Sequence, residues 1–117
     1  MAIVEDLRSW IGKDVVDTES VKVGKFADVY FDVESDEPVF LVIDPGRRDD
    51  NLLAPAWNAA VSPDHVRLAY TTEALNGAPT LSQEGDLDTT TERDLFAFYK
   101  VDYVPSNTGS GRRLMRH

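Results

Sequence analysis

A chain of 117 residues with 42% apolar residues can bury one hydrophobic core, and this composition excludes global disorder. The chain has no cysteine, which excludes disulfides, thiolate metal sites and a cysteine nucleophile. Its formal net charge is −9, and without the three arginines of the C-terminal tail the remainder carries −12. A body this acidic repels nucleic acid and anionic membranes, so direct nucleic-acid binding is not expected.

No stretch approaches the ~18 apolar residues of a transmembrane helix. Residues 1–6 lack the basic start and the apolar run of a signal peptide. The sequence therefore predicts a soluble, cytoplasmic protein without a membrane partner.

The first predicted elements are a short helix and two strands. Apolar residues at 3, 4, 7, 10 and 11 have helical spacing, and Gly12 ends that pattern. We expect strands over Asp14–Asp17 and Ser20–Val33, separated by a polar turn. Gly24 lies inside the second strand, where a glycine marks a bulge, a sharp bend or a close backbone approach.

The third predicted strand, Pro38–Asp44, is apolar on both faces. Leu41 and Ile43 alternate with Phe40 and Val42, so the two pairs point to opposite sides of the sheet. A strand that is buried on both sides needs a helix or a second subunit to cover its outer face.

Three further short strands follow, over Leu52–Pro55, Ala59–Ser62 and His65–Thr71, with a kink at Pro55-Ala56-Trp57. Six short strands joined by hairpins predict a mainly β fold. The expected architecture is a small six-stranded antiparallel β-barrel or a strongly bent sheet. With the N-terminal helix, this predicted domain spans residues 1–80.

The C-terminal third has a different character. Residues 81–104 are predicted to hold an irregular connector and a helix, which Thr89 and Glu92 open as a capping box and which runs to about Lys100. The apolar stripe of this helix, formed by Leu95, Phe98 and Tyr99, must dock either on the barrel or on a partner chain. Residues 105–117 are predicted to form a flexible tail.

Several short motifs together resemble the PRC-barrel family. They are Asp14-Val15-Val16-Asp17, Val23-Gly24-Lys25, Ala27-Asp28-Val29-Tyr30, Leu53-x-Pro55, Ser62–Leu68 and Ala78-Pro79. The resemblance covers about residues 5–80, and the helix with its tail is similar to the C-terminal extension of stand-alone bacterial members. It implies a small β-barrel like those of the photosynthetic reaction centre H subunit and of a 16S rRNA maturation factor.

What the resemblance implies about function is docking on other proteins or on RNA–protein assemblies. It supplies no active-site residues. Two positions depart from the family pattern: Ser20 stands where the family often has glycine, and Ala56 separates Pro55 from Trp57, where the family usually runs proline straight into an aromatic residue. Ser20 is strained if its position needs a positive φ angle.

The sequence offers no convincing metal site. Asp32-x-Glu34-x-Asp36 resembles the start of an EF-hand loop, but Glu37 and Ile43 stand where that loop needs glycine and glutamate. We therefore interpret this segment as a solvated acidic turn.

Residues that could carry catalysis are equally sparse. His65 is the only internal histidine, and none of the serines lies in a G-x-S-x-G elbow. We expect neither a catalytic residue nor a cofactor. The tail residues Arg112, Arg113 and Arg116 could touch RNA, an acidic partner or the body of the protein itself.

Aromatic and apolar side chains give the candidate interaction surface. Its residues are Phe40, Val42, Trp57, Phe96, Phe98 and Tyr99. Phe96 and Phe98 lie ~200° apart on a helix, so one of them must be exposed or covered by another chain. Core packing is the competing interpretation for each aromatic residue.

Three functions remain open from the sequence. The first is a non-catalytic interaction and assembly module that forms a homo-oligomer. The second is a ribosome or RNA-processing accessory factor that acts through a ribosomal protein. The third is a small-ligand binder or an uncharacterised enzyme, which needs a closed pocket with convergent polar groups.

Overall fold

The computed structural model describes residues 10–35, 37–46, 50–78, 81–82, 89–100 and 114–116. Within them the chain forms eight strands and two helices. In chain order these are β1 (Asp14–Val16), β2 (Lys22–Asp32), β3 (Pro38–Asp44), β4 (Asp50–Pro55), β5 (Ala60–Val61), β6 (His65–Arg67), α1 (Thr72–Asn76), β7 (Leu81–Ser82), α2 (Thr89–Phe98) and β8 (Leu114–Arg116). The mainly β prediction is confirmed, while the predicted N-terminal helix lies outside the described residues.

The strands form one sheet in the order β5-β6-β1-β2-β3-β4-β7, and β8 pairs with the end of β2. Every pair is antiparallel except β1 and β6, where Asp14 lies opposite His65 and Val16 opposite Arg67 in a parallel register. The expectation of a fully antiparallel sheet is therefore wrong at this pair.

The kink after β4 explains the parallel pair. β1 to β4 alternate in direction, and β5 is antiparallel to β6. Since β6 runs with β1, β5 must run in the same direction as β4. Pro55-Ala56-Trp57 is thus a bend that carries the chain onward, rather than a hairpin that reverses it.

The described strands do not close into a barrel. Their hydrogen-bonded path begins at β5 and ends at β7, and no pairing joins these two strands in the described part of the chain. The arrangement corresponds to the strongly bent sheet rather than to the closed six-stranded barrel. β7 and β8 were not expected from the sequence, because segments of two and three residues are too short to show periodicity.

Two apolar clusters lie on opposite faces of this sheet. The inner cluster consists of Val15, Val23, Phe26, Val29, Phe31, Leu41, Ile43, Leu52, Ala54, Val66, Leu68 and Leu75. The helix-side cluster consists of Tyr30, Phe40, Val42, Leu53, Ala78, Leu95, Phe96, Tyr99 and Leu114. The inner cluster draws on β1, β2, β3, β4 and β6, so the sheet curls around it.

Gly24 marks a place where two strands come very close. A Cβ atom at this position would overlap the carbonyl oxygen of Asp44 and lie 2.9 Å from the Cα of Pro45. The register between β1 and β2 also shifts beside it, between Val15 and Val16. The sequence prediction of a bulge or a close backbone approach is confirmed, and both features occur together.

The buried carboxylate of Asp17 joins the turn after β1 to the start of α1. Its Oδ1 accepts hydrogen bonds from the backbone N–H groups of Glu19 at 2.8 Å and Val21 at 2.9 Å. Its Oδ2 accepts from the Thr72 hydroxyl at 2.6 Å and the Thr72 backbone N–H at 3.1 Å. These bonds, of which the Thr72 hydroxyl contributes most, lower the pKa of Asp17 to about 2.

We expect Asp17 to make the free energy of unfolding depend on pH in the acid range. Its pKa is about 2 in the folded protein, against an ordinary value of 3.8, so the unfolded chain binds more protons between these values. The stabilisation is complete above about pH 5 and is lost as the pH falls towards 2. Urea unfolding between pH 2 and 5 should show the stability gap between wild type and Asp17→Asn widening with pH.

Asp44→Asn is the matched control, because the Asp44 carboxylate is exposed and accepts a single backbone N–H from Gly46 at 2.9 Å. Thr72→Val removes only the hydroxyl donor. It should reduce, but not abolish, the change in the free energy of unfolding between pH 2 and pH 5. A parallel pH profile for wild type and Asp17→Asn contradicts the assignment.

Ser20 adopts the positive φ angle that would strain a residue other than glycine at this position. Its φ angle is +67°, which is unfavourable for a residue with a Cβ atom. Ser20 closes the turn, and its N–H donates to the Asp17 carbonyl oxygen at 3.1 Å.

Ser20→Gly should therefore stabilise the protein by about 0.5–1 kcal/mol, since relief of the strain exceeds the added entropy of the unfolded chain. Thermal or urea unfolding measures the change. Ser20→Ala is the control, because it removes the hydroxyl and keeps the Cβ atom. Equal effects of the two substitutions contradict backbone strain as the cause.

Candidate functional site

Helix α2 covers the outer face of β3. Leu95 and Phe96 on this helix, and Tyr99 directly after it, are buried and pack into the helix-side cluster with Phe40 and Val42. Of the two covers that the sequence left open, the chain's own helix occupies this face. Phe40 and Val42 were expected on an interaction surface, but both are 0% exposed beneath α2 and cannot touch a partner in this conformation.

A buried carboxylate joins α2 to the C-terminal strand. The Glu92 Oε2 accepts a hydrogen bond from the backbone N–H of Leu114 at 2.8 Å. Leu114 is itself buried in the helix-side cluster, and β8 pairs with residues Tyr30–Asp32 of β2. Part of the predicted flexible tail is thus an ordered strand on the body of the protein, because its apolar residue finds a buried place there.

Phe40 is the centre of an aromatic cluster. Its ring centroid lies 5.5 Å from that of Phe96 and 5.7 Å from that of Trp57, both in edge-on geometry. The ring of Tyr99 lies 5.9 Å away in a tilted arrangement. These separations fall within the range in which aromatic pairs attract each other.

Tyr99 is the second centre of this cluster. Its ring lies 5.0 Å from both Tyr70 and Phe98, again in edge-on geometry. Its hydroxyl donates a hydrogen bond to the Leu53 carbonyl oxygen of β4 at 2.7 Å. Burial raises the pKa of the Tyr99 phenol well above its usual range.

Around these buried rings lies an exposed border that we call the aromatic rim: Trp57, Asn58, Tyr70 and Phe98. Trp57 is 49% exposed and Phe98 is 39% exposed. Tyr70 is half-buried, and its hydroxyl accepts a hydrogen bond from Asn58 Nδ2 at 3.0 Å. The prediction that Phe96 and Phe98 face different ways is confirmed. The predicted apolar stripe is wrong at Phe98, because Phe96 is buried with Leu95 and Tyr99 instead.

The sequence indicated Trp57 and Phe98 but not Asn58 and Tyr70. The sixth strand was predicted to run from His65 to Thr71, which places Tyr70 on a strand. In the structure β6 ends at Arg67, so strand alternation does not fix the direction of Tyr70. An aromatic residue placed between the end of a strand and the N-cap residue Thr71 was the available signal.

The remaining polar candidates do not assemble into a site. His65 is half-buried and its Nδ1 lies 2.8 Å from Asp64 Oδ1. In the described part of the chain, no group of three or more histidine and acidic side chains could hold a metal ion. None of the described helices has the length and apolar character needed to cross a membrane.

An open cavity of about 580 Å³ lies between the start of β2 and α1. Its lining consists of Lys22, Val23, Gly24, Pro45, Leu52, Thr72 and Asn76. Two of its polar groups already have partners within the chain. The Thr72 hydroxyl donates to Asp17, and the Lys22 ammonium lies 3.3 Å from Asp14. The ligand-binder hypothesis requires polar groups that converge on a ligand, and these two groups bind acidic side chains instead.

These observations describe a class of protein: a small, mainly β domain with a covering helix and an exposed aromatic border. The sequence model of the PRC-barrel domain matches residues 3–75, which is more than half of the chain. This chain belongs to the PRC-barrel domain family. A comparison with curated proteins gives no match.

Tyr99→Phe should lower the free energy of unfolding by about 1–2 kcal/mol, because it removes the buried hydrogen bond to Leu53. Since the phenol pKa is raised in the folded protein, the unfolded chain ionises first and wild type loses stability above about pH 10. Urea unfolding at pH 7 and at pH 10–11 measures both effects.

Tyr70→Phe is the matched control, because the Tyr70 hydroxyl bonds to Asn58 at the exposed rim. It should change the stability by less than Tyr99→Phe. An equal loss for both variants contradicts the special position of the Tyr99 hydroxyl.

Proposed function

We propose that this protein is a non-catalytic PRC-barrel module for protein–protein interaction, with the aromatic rim as its docking surface. The observation that carries the proposal is the exposure of Trp57 and Phe98 on a cluster whose other rings are largely buried. Large aromatic side chains that stand on a rigid buried base are typical anchors of protein interfaces.

The energetic argument concerns Trp57. Half of an indole side chain presents on the order of 100 Å² of apolar surface, so covering it contributes about 2.5 kcal/mol. Phe98 adds a similar, slightly smaller term. Because Phe40 and Tyr99 hold the two rings in place, a partner does not have to order them, which lowers the entropic cost of binding.

The homo-oligomer expected from the sequence now depends on the rim. One reason to expect an oligomer was that the outer face of β3 needs a cover. Helix α2 of the same chain covers that face. We retain self-association through the rim, in a cytoplasmic protein, as one form of the proposed interaction.

Site-specific photo-crosslinking tests the proposal. A photoreactive phenylalanine analogue replaces Trp57 in one variant and Phe98 in another, each produced in the organism that naturally makes this protein. We expect a discrete protein adduct from both positions, because both side chains lie on the docking surface. Gel mobility and mass spectrometry identify the adduct, including a second copy of this chain.

Ile11 and Val21 are the matched control positions. They are 47% and 49% exposed, apolar, and outside the aromatic cluster. The same analogue at these positions should give no discrete adduct. An absence of adducts at both rim positions, or the same adducts at rim and control positions, contradicts the proposal.

A further inference from the structure

Each ring of the aromatic rim is steeply inclined to a buried ring. The planes of Trp57 and Phe40 meet at 67°, those of Tyr70 and Tyr99 at 62°, and those of Phe98 and Tyr99 at 85°. A partner of the rim therefore meets separate aromatic side chains, which suit narrow, rigid, apolar groups.

Hydrogen-bond donors accompany these rings. The Trp57 indole carries an N–H that can only donate, and the Asn58 amide donates one of its two N–H groups to Tyr70. A ligand that suits this surface offers apolar rings for the aromatic side chains and backbone carbonyl groups for the donors. A polyproline II helix offers both, because its proline side chains are apolar rings and its carbonyl groups make no internal hydrogen bonds.

Charge decides between the possible occupants. The chain carries −9, so two copies repel each other as they approach, whereas a segment flanked by lysine or arginine is attracted. A proline-rich segment is also already ordered before it binds, which lowers the entropic cost of binding.

We infer that the aromatic rim binds a proline-rich segment in the polyproline II conformation, flanked by basic residues and supplied by another protein. This inference rests on the proposed function, since it names the partner of the same surface. Pyrrolidine rings pack against Trp57, Tyr70 and Phe98, while the Trp57 and Asn58 N–H groups bind carbonyl oxygens of the segment.

An NMR titration of the full chain tests the inference. The probe is a capped peptide of about nine prolines, three turns of polyproline II helix, with one arginine at each end. We expect a saturable shift of the Trp57 indole N–H signal, with a dissociation constant between about 10 μM and 1 mM. The Trp10 indole signal should move little, because Trp10 packs on the inner cluster.

Three variants and one control peptide sharpen the result. Trp57→Ala and Phe98→Ala should each weaken binding at least ~10-fold, whereas Ile11→Ala should leave it unchanged; amide signals of the free variants confirm that each is folded. The control peptide keeps both arginines and replaces the prolines with glycine and serine. Equal binding of the two peptides, or no saturable shift, overturns the inference.

The two proposals fail separately. If photo-crosslinking from the rim gives an adduct but the proline-rich peptide does not bind, the interaction module stands and the proline-rich partner is wrong. If the adduct is a second copy of the chain, and sedimentation shows self-association that Trp57→Ala abolishes, the rim is a self-association surface and the inference is again wrong.

Discussion

The burial of β3 on both faces is the constraint on which the rest of this structure depends. Leu41 and Ile43 belong to the inner cluster, while Phe40 and Val42 belong to the helix-side cluster. A sheet that is apolar on both sides needs two covers. Its own curl supplies the first, and α2 supplies the second. The helix is too short to be stable alone in water, so the helix and the strand depend on each other for stability.

Asp17 provides a second constraint, because it links the turn between β1 and β2 to the segment that follows β6. The Asp17 carboxylate binds the Val21 N–H nearby and two donors of Thr72, which lies 55 positions further along the chain. The Thr18 N–H adds a bond to the Tyr70 carbonyl oxygen at 3.2 Å. These contacts hold the segment that carries Tyr70 in place beside β1. The position of Tyr70 in the rim therefore depends on polar contacts at Asp17 and Thr18, in another part of the molecule.

Periodicity alone predicted the first three strands closely, as well as the C-terminal helix and the opposite directions of Phe96 and Phe98, because each depends on contacts within a long regular segment. It failed where long-range pairing decides the structure. The parallel pairing of β1 and β6 depends on a bend at Pro55–Trp57 that was expected only as a kink. The burial of Leu114 and its bond to Glu92 join residues 22 positions apart, which no local pattern records.

Ala56 and Trp57 follow each other in the chain but pack against different clusters. The Ala56 N–H bonds to the Val39 carbonyl oxygen at 2.8 Å, and the Ala56 side chain packs against the inner cluster. An aromatic residue directly after Pro55 would occupy this inner position. Moving it by one residue places Trp57 on the opposite side, against Phe40 of the helix-side cluster. A shift of one position thus moves an indole ring from the core towards the surface.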